Sequence, residues 1–128
     1  MSDIKEKKVA GVSHSAVLAR QMKDPEFRYH YEQRKLVHEV AVAVRTMRKQ
    51  AGLTQAQLAS RVGVSQPMIA KIEKGIEQLA PRWEMLGRVC VALNKQLRLS
   101  FRDPTEQDGH LVEVDGKPVS ELDVRASE

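Results

Sequence analysis

The sequence has few cysteine and aromatic side chains and no long apolar run. Among 128 residues there is one cysteine, Cys90, and aromatic residues make up 4%. One cysteine cannot form an intramolecular disulfide or a cysteine zinc cluster, so we expect a reducing, cytoplasmic setting. No apolar run approaches the roughly 18 to 20 residues that span a bilayer, and no apolar segment follows the charged stretch Met1–Lys8, as a secretory signal would require. We therefore expect neither secretion nor contact with a membrane.

The charges are distributed unevenly along the chain. Residues 35–102 carry twelve Lys/Arg against four Asp/Glu, a formal charge of +8, whereas residues 1–34 carry +2 and residues 103–128 carry −6. A basic segment of this kind is the electrostatic footprint of a nucleic-acid binder. The acidic C-terminal part is not expected to touch nucleic acid.

The spacing of apolar residues predicts helices up to Leu93. From Leu36 to Gln50 apolar residues recur every three or four positions, as on one face of a helix. Asp24-Pro25 predicts the start of an earlier helix, which either continues into this one or breaks near Arg34. The predicted helices are Ser13–Met22, Pro25 toward Leu36, Leu36–Gln50, Gln55–Val62, Gln66–Lys74 and Pro81–Leu93.

Polar caps and glycines mark the ends of the short central helices. Thr54 and Ser65 are good N-caps, and Gly63 stands where a tight turn needs positive φ. On the last helix Trp83 is expected to be a core anchor. Cys90 is expected to be a small buried residue rather than a nucleophile.

Beyond Asn94 the pattern changes to that of strands. Apolar and polar residues alternate over Gln96–Arg102, which predicts a strand. Leu111–Val114 and Lys117–Val119 flank Asp115-Gly116, a dipeptide that suits the type I′ turn of a hairpin.

The segment Thr54–Gly75 reads TQAQLASRVGVSQPMIAKIEKG, which predicts two short helices joined by a glycine turn, a helix-turn-helix. GLTQ at Gly52–Gln55, LA at Leu58-Ala59, VGVSQ at Val62–Gln66 and KIEKG at Lys71–Gly75 resemble the lambda-repressor-like (Cro/CI, XRE) family, over about Val37–Leu93. The resemblance implies a mainly α fold: a helix-turn-helix bundle with an N-terminal helical extension and a short C-terminal β-strand or hairpin. It also implies binding to double-stranded operator DNA. The expected regions are 1–34, 35–95 and 96–128.

The resemblance implies roles for side chains at the matching positions. The expected base contacts are Ser65, Gln66, Met68 and Lys71, and the expected backbone contacts are Arg45, Arg48, Gln55, Arg61 and Lys74. Gln66 suits paired hydrogen bonds to adenine, whereas Pro67 replaces a more polar family residue and cannot bond a base. The competing interpretations are that Ser65 only caps its helix, that Met68 only packs, and that the cations are only solvated.

The flanking residues resemble HigA/HipB-type antitoxins. MKDPEFRYHYEQ at Met22–Gln33 looks like the HigA type, and a strand after the bundle looks like the HipB type. The resemblance implies a homodimer that represses its own operon and neutralises a toxin, either a RelE/HigB-like ribonuclease or a HipA-like kinase. Phe27 and Tyr31 are candidate toxin contacts, or else they only pack their helix. The alternatives are a stand-alone regulator of the XRE family and an adaptor that has lost DNA binding.

No pattern in the sequence indicates an enzyme, a cofactor or a metal site. The histidines are scattered, no glycine-rich phosphate loop is present, and no acid is placed to orient Ser13-His14-Ser15 as a nucleophile pair. The four histidines are His14, His30, His38 and His110.

Overall fold

The computed structural model describes residues 13–103 and 109–122, so residues 1–12, 104–108 and 123–128 of the predicted extension and tail lie outside the described parts. Within those parts the chain is mainly helical and ends in a small hairpin, as predicted. The helices are α1 His14–Gln21, α2 Pro25–Gln50, α3 Gln55–Val62, α4 Gln66–Lys74 and α5 Trp83–Ala92. The hairpin strands are β1 Glu113–Val114 and β2 Lys117–Pro118, and short 3₁₀ turns span Glu77–Leu79 and Val119–Glu121.

The helix starts follow from the predicted caps. Asp24 Oδ1 accepts a hydrogen bond from the Glu26 amide at 3.1 Å, beside Pro25 in the first turn of α2. Thr54 forms a reciprocal capping box with Gln57 at the start of α3.

Helix α2 does not break at Arg34 but runs unbroken to Gln50, which settles the alternative that the sequence left open. The boundary between two compact units, Met1–Gln33 and Arg34–Glu128, falls inside this helix.

Two glycines allow the short helices to end tightly. Gly63, at φ 87°, separates α3 from α4, and a Cβ there would lie 3.3 Å from Arg88 Nη2. Gly75, at φ 72°, ends α4, and a Cβ there would lie 3.2 Å from Ala41 Cβ. Both positions therefore need positive φ and offer little room for a side chain.

One apolar cluster in the unit that begins at Arg34 fixes the helix-turn-helix. Each of α2, α3, α4 and α5 contributes buried residues from its predicted inner face, and the C-terminal hairpin segment adds two valines. The main members are Val44, Met47, Leu58, Ala59, Val62, Ile69, Ile72, Val89, Leu93, Val114 and Val119. Cys90 is also buried, as predicted.

The C-terminal hairpin is held to α2 by a buried carboxylate. Glu39 Oε1 accepts hydrogen bonds from the backbone amides of Leu111, at 2.6 Å, and Val112, at 2.8 Å. The turn is of the predicted type, because Asp115 and Gly116 both have positive φ, at 52° and 81°. Charge-assisted bonds of this kind to two amides secure a segment that has little regular structure of its own.

Two predictions about the region after α4 differ from the structure of the single chain. Residues 96–102 form no strand within one copy, and Phe101 is 93% exposed; among the described residues, strands β1 and β2 pair only with each other. Trp83 is not a core anchor but is 63% exposed. Trp83 begins α5 and is not part of the apolar cluster, although Met85 and Leu86 of the same turn pack against that cluster.

Candidate nucleic-acid interface

Helix α4 has one buried face and one exposed face. Ile69 and Ile72 are buried in the apolar cluster, whereas Gln66, Met68 and Lys71 are exposed. The exposed side chains occupy the first two turns, the part of a recognition helix that reaches base edges in the major groove. The face offers an amide, an apolar group and a cation, which are three kinds of group that can contact base edges.

A buried ion pair joins α2 to α4 behind this face. Arg48 Nε donates to Glu73 Oε2 at 2.7 Å, and Arg48 Nη2 donates to Glu73 Oε1 at 2.9 Å. The third nitrogen of the guanidinium, Nη1, donates to the Leu53 carbonyl at 2.8 Å. Every nitrogen of the Arg48 head group is therefore engaged inside the protein.

The ion pair continues to the surface through two amide side chains. Gln55 Nε2 donates to Glu73 Oε1 at 3.1 Å, and Gln66 Nε2 donates to Gln55 Oε1 at 2.7 Å. We call Glu73, Gln55 and Gln66 the amide relay. The relay runs from a buried carboxylate to the exposed start of α4.

The structure places the remaining predicted contacts as follows. Ser65 does cap α4, with Oγ accepting from the Met68 amide at 3.3 Å, and its own O–H stays able to donate. Arg61 and Lys74 are exposed, whereas Arg45 is half-buried and its Nη1 lies 3.4 Å from the Glu73 carbonyl oxygen. Of the predicted base contacts, Ser65 and Gln66 lie together at the start of α4, and Met68 and Lys71 follow along the helix.

Arg48 requires a correction. The sequence places it among the cations at the end of α2 and predicts a contact with the DNA backbone. In the structure the residue is buried and its guanidinium is paired with Glu73. A cation in this position neutralises an internal carboxylate and is not offered to phosphate, so Arg48 leaves the set of expected backbone contacts.

The sequence reasoning missed two residues that shape the face. Glu73 was overlooked although it is the one acidic residue within the otherwise basic KIEKG motif and directly follows buried Ile72. Arg88 donates from Nη2 to the Val62 carbonyl at 2.8 Å and so satisfies an open carbonyl at the end of α3. No local pattern marked Arg88, because its partner lies 26 positions earlier in the chain.

Little other chemistry is available among the described residues. Over 13–103 and 109–122 no cluster of three or more His, Cys, Asp or Glu side chains could hold a metal ion. In the same parts of the chain, no helix is both long enough and apolar enough to cross a membrane. Burial raises the pKa of the Cys90 thiol above its ordinary value and so disfavours the reactive thiolate.

Comparison with known families agrees with this geometry. Residues 44–99 match the family described as helix-turn-helix. The match covers α3, α4, α5 and the end of α2, the elements that build the exposed face. This part of the chain is therefore similar to a helix-turn-helix domain, as the sequence motifs predict.

Curated relatives extend the likeness beyond that domain. The chain is 33% identical over 97 residues to Antitoxin HigA1 from two strains of Mycobacterium tuberculosis, an alignment that covers 76% of this chain and 61% of the relative. It is 46% identical over 54 residues to an uncharacterized HTH-type transcriptional regulator of Haemophilus influenzae, covering 42% of this chain and 53% of that protein. The chain thus spans about three fifths of the length of the HigA1 proteins. No solved structure matches it significantly.

Proposed function

We propose that this protein is a sequence-specific DNA-binding repressor that also serves as the antitoxin of a type II toxin–antitoxin system. It represses its own operon and neutralises a toxin by direct binding. The observation that carries the DNA-binding part is the exposed start of α4, where Gln55 holds Gln66 at 2.7 Å. A side chain held in place before binding loses less conformational freedom on binding, which favours selective recognition.

In this proposal α4 lies in the major groove. Gln66 bonds adenine, Met68 contacts a thymine methyl, and Ser65 and Lys71 reach neighbouring bases or phosphates. The residues proposed to contact the DNA backbone are Arg45, Gln55, Arg61 and Lys74. The formal charge of +8 over residues 35–102 supplies the attraction to phosphate that operates at every sequence.

The proposal includes a homodimer. Repressors with one recognition helix per chain bind two half-sites through two-fold symmetry. Leu99 and Phe101 are both exposed on the segment whose alternating pattern is that of a strand. Pairing of residues 96–102 with the same residues of a second copy would cover these side chains and supply a neighbouring strand, which the described residues of one chain do not provide.

The antitoxin part rests on the relatives and on the N-terminal helices. The 97 residues aligned with Antitoxin HigA1 exceed the segment 44–99, so the likeness includes flanking residues. On α2 the rings of Phe27 and Tyr31 stack with centroids 6.1 Å apart, and neighbouring Tyr29 is exposed. Aromatic side chains of this kind are common anchors at protein interfaces. The proposed partner is a RelE/HigB-like ribonuclease, or a HipA-like kinase.

A second candidate function is a stand-alone XRE-family regulator without a toxin partner. The observation that favours it is the likeness to the Haemophilus influenzae regulator, which covers 54 residues at 46% identity. This candidate needs the helix-turn-helix but assigns no binding role to α1 or to the first part of α2.

The DNA-binding part is tested on the DNA upstream of the protein's own gene. A gel shift measures the affinity of the wild type, Gln66→Ala and Lys74→Ala for this DNA and for point-substituted duplexes. Gln66→Ala should lose about 1 to 3 kcal/mol of binding free energy at one base position and relax the base preference there. Lys74→Ala should weaken binding to all duplexes equally. Equal effects of both variants on random DNA would defeat the assignment of Gln66.

The antitoxin part is tested by purifying the tagged protein from its native cell and identifying what comes with it. If the partner is a RelE/HigB-like ribonuclease, recovery of one small basic protein in near-equal amount is expected. That protein should arrest growth when expressed alone and should not do so together with this chain. The double variant Phe27→Ala/Tyr31→Ala should no longer prevent the growth arrest. The variant Arg20→Ala, which changes an exposed residue on α1, should still prevent it. Recovery of only this chain and DNA favours the stand-alone regulator.

A further inference from the structure

We propose that Glu73 determines which base Gln66 selects, by fixing the donor and acceptor directions of the amide relay. This inference rests on the proposed DNA-binding function and deepens it. Glu73 is a positioning residue in this account, because it is buried and acts on DNA only through Gln55 and Gln66.

The direction of the relay begins at a group that cannot donate. The Glu73 carboxylate accepts from Arg48 at both oxygens, and its side chain is only 4% exposed. Gln55 approaches Oε1 of the same carboxylate. Only the NH₂ end of an amide can donate to a carboxylate, so the Gln55 amide must direct its nitrogen inward and its oxygen outward.

The second step transfers this direction to the surface. The outward oxygen of Gln55 can only accept, and it lies 2.7 Å from Gln66 Nε2. Gln66 must therefore also turn its NH₂ group toward Gln55. Because an amide nitrogen has two hydrogens, one N–H and the carbonyl oxygen of Gln66 stay available to a base.

One donor beside one acceptor selects adenine over guanine. Adenine presents an N6 donor and an N7 acceptor in the major groove, whereas guanine presents two acceptors, N7 and O6. An amide that can rotate by half a turn about its terminal torsion can instead present its NH₂ group and suit guanine. Since that torsion is roughly two-fold, only the relay keeps Gln66 from turning. Without Glu73 or Gln55, the discrimination between the two purines should be lost.

The test measures the base preference of variants that are shown to fold. The wild-type protein first selects binding sites from randomised duplexes, and Gln66→Ala then identifies the position that Gln66 reads. Affinities of the wild type, Gln55→Met and Glu73→Gln are measured for matched duplexes with adenine or guanine at that position. Gln55→Met keeps the side-chain size and the Arg48–Glu73 pair but interrupts the relay. Lys74→Met is the matched control. It removes an exposed cation and so lowers the affinity for both duplexes, but it should leave the ratio of the adenine-duplex affinity to the guanine-duplex affinity unchanged.

The wild type should bind the adenine duplex at least about tenfold more tightly than the guanine duplex. Gln55→Met should bring the two affinities to within about threefold of each other, and Glu73→Gln should do the same if thermal melting shows that it folds. If Glu73→Gln does not fold, Gln55→Met decides alone. An adenine preference that persists in folded Gln55→Met overturns the inference and leaves the proposed function standing. Selection of no sequence by the wild type overturns both. Selection of a base other than adenine at the Gln66 position overturns the inference and the assignment of adenine to Gln66, and leaves sequence-specific DNA binding standing.

Discussion

Arg48 and Glu73 form a two-point ion pair, with nitrogen–oxygen distances of 2.7 and 2.9 Å and side chains that are 8% and 4% exposed. The pair joins the long helix α2 to the proposed recognition helix α4. It also supplies the fixed end of the amide relay. One interaction thus links the stability of the domain to the orientation of the residue proposed to read DNA.

Removal of one member of this pair should strongly destabilise the fold. Arg48→Met leaves Glu73 charged and buried without its partner, and we expect a loss of about 3 to 5 kcal/mol in the free energy of unfolding. Urea denaturation followed by circular dichroism measures the loss. Lys49→Met, at the neighbouring half-exposed position, should change stability by no more than about 0.5 kcal/mol. Similar small effects of both variants would show that the pair contributes little.

The carboxylate of Glu39 should hold the C-terminal hairpin. Both amides donate to the same oxygen, Oε1, so Glu39→Gln keeps an acceptor in place whereas Glu39→Ala removes it. We expect Glu39→Ala to lower the free energy of unfolding by about 2 to 4 kcal/mol, and Glu39→Gln to lower it by less than half of that. Hydrogen exchange at the amides of Leu111 and Val112 should be faster in Glu39→Gln than in the wild type, and faster still in Glu39→Ala. Unchanged exchange in Glu39→Ala would mean that the apolar contacts of Val114 and Val119 suffice.

A buried hydroxyl in α2 should be replaceable with a gain in stability. Thr46 is 1% exposed, and its Oγ1 has no hydrogen-bond partner in the described parts of the chain. Thr46→Val keeps the shape and removes the unsatisfied group, so we expect stability to rise by about 1 kcal/mol. Thr46→Ser keeps the hydroxyl and loses a methyl group, and it should be less stable than the wild type by about 1 kcal/mol. A loss of stability in Thr46→Val on thermal melting would contradict the assignment.

The proposed dimer makes Phe101 a sensitive position. Phe101→Asp puts a charge where the segment 96–102 would pair, and we expect the protein to become a monomer by light scattering. Val91→Asp is the control, because Val91 is an exposed apolar residue of α5 outside that segment. It should remain a dimer at the same concentration. A wild type that is monomeric at micromolar concentration would exclude this pairing.

Local signals in the sequence predicted the helix-turn-helix well. Thr54, Ser65, Gly63 and Gly75 mark the ends of the short helices by capping and by positive φ, and the buried positions follow the helical period. These features depend on residues within a few positions of one another. The Asp115-Gly116 turn was predictable for the same reason.

The relationships that the sequence did not reveal join distant positions. Arg48 looked like one more surface cation, because its partner Glu73 lies 25 residues later and only folding brings the two together. Trp83 was expected to anchor the core near the start of the last helix, but no local pattern shows whether a neighbouring element covers that side chain, which is 63% exposed. The strand over 96–102 was read from alternation alone, and alternation does not supply a neighbouring strand.

The central claim is tested most directly by the salt dependence of binding to specific and scrambled DNA. Fluorescence anisotropy measures the affinity of the wild-type protein for the duplex upstream of its gene and for a scrambled duplex of the same composition, at increasing salt. We predict that the specific duplex is bound at least about 10³-fold more tightly near physiological salt, with both affinities falling as salt rises. Equal affinities for the two duplexes at every salt concentration would contradict sequence-specific recognition by the Gln66 face.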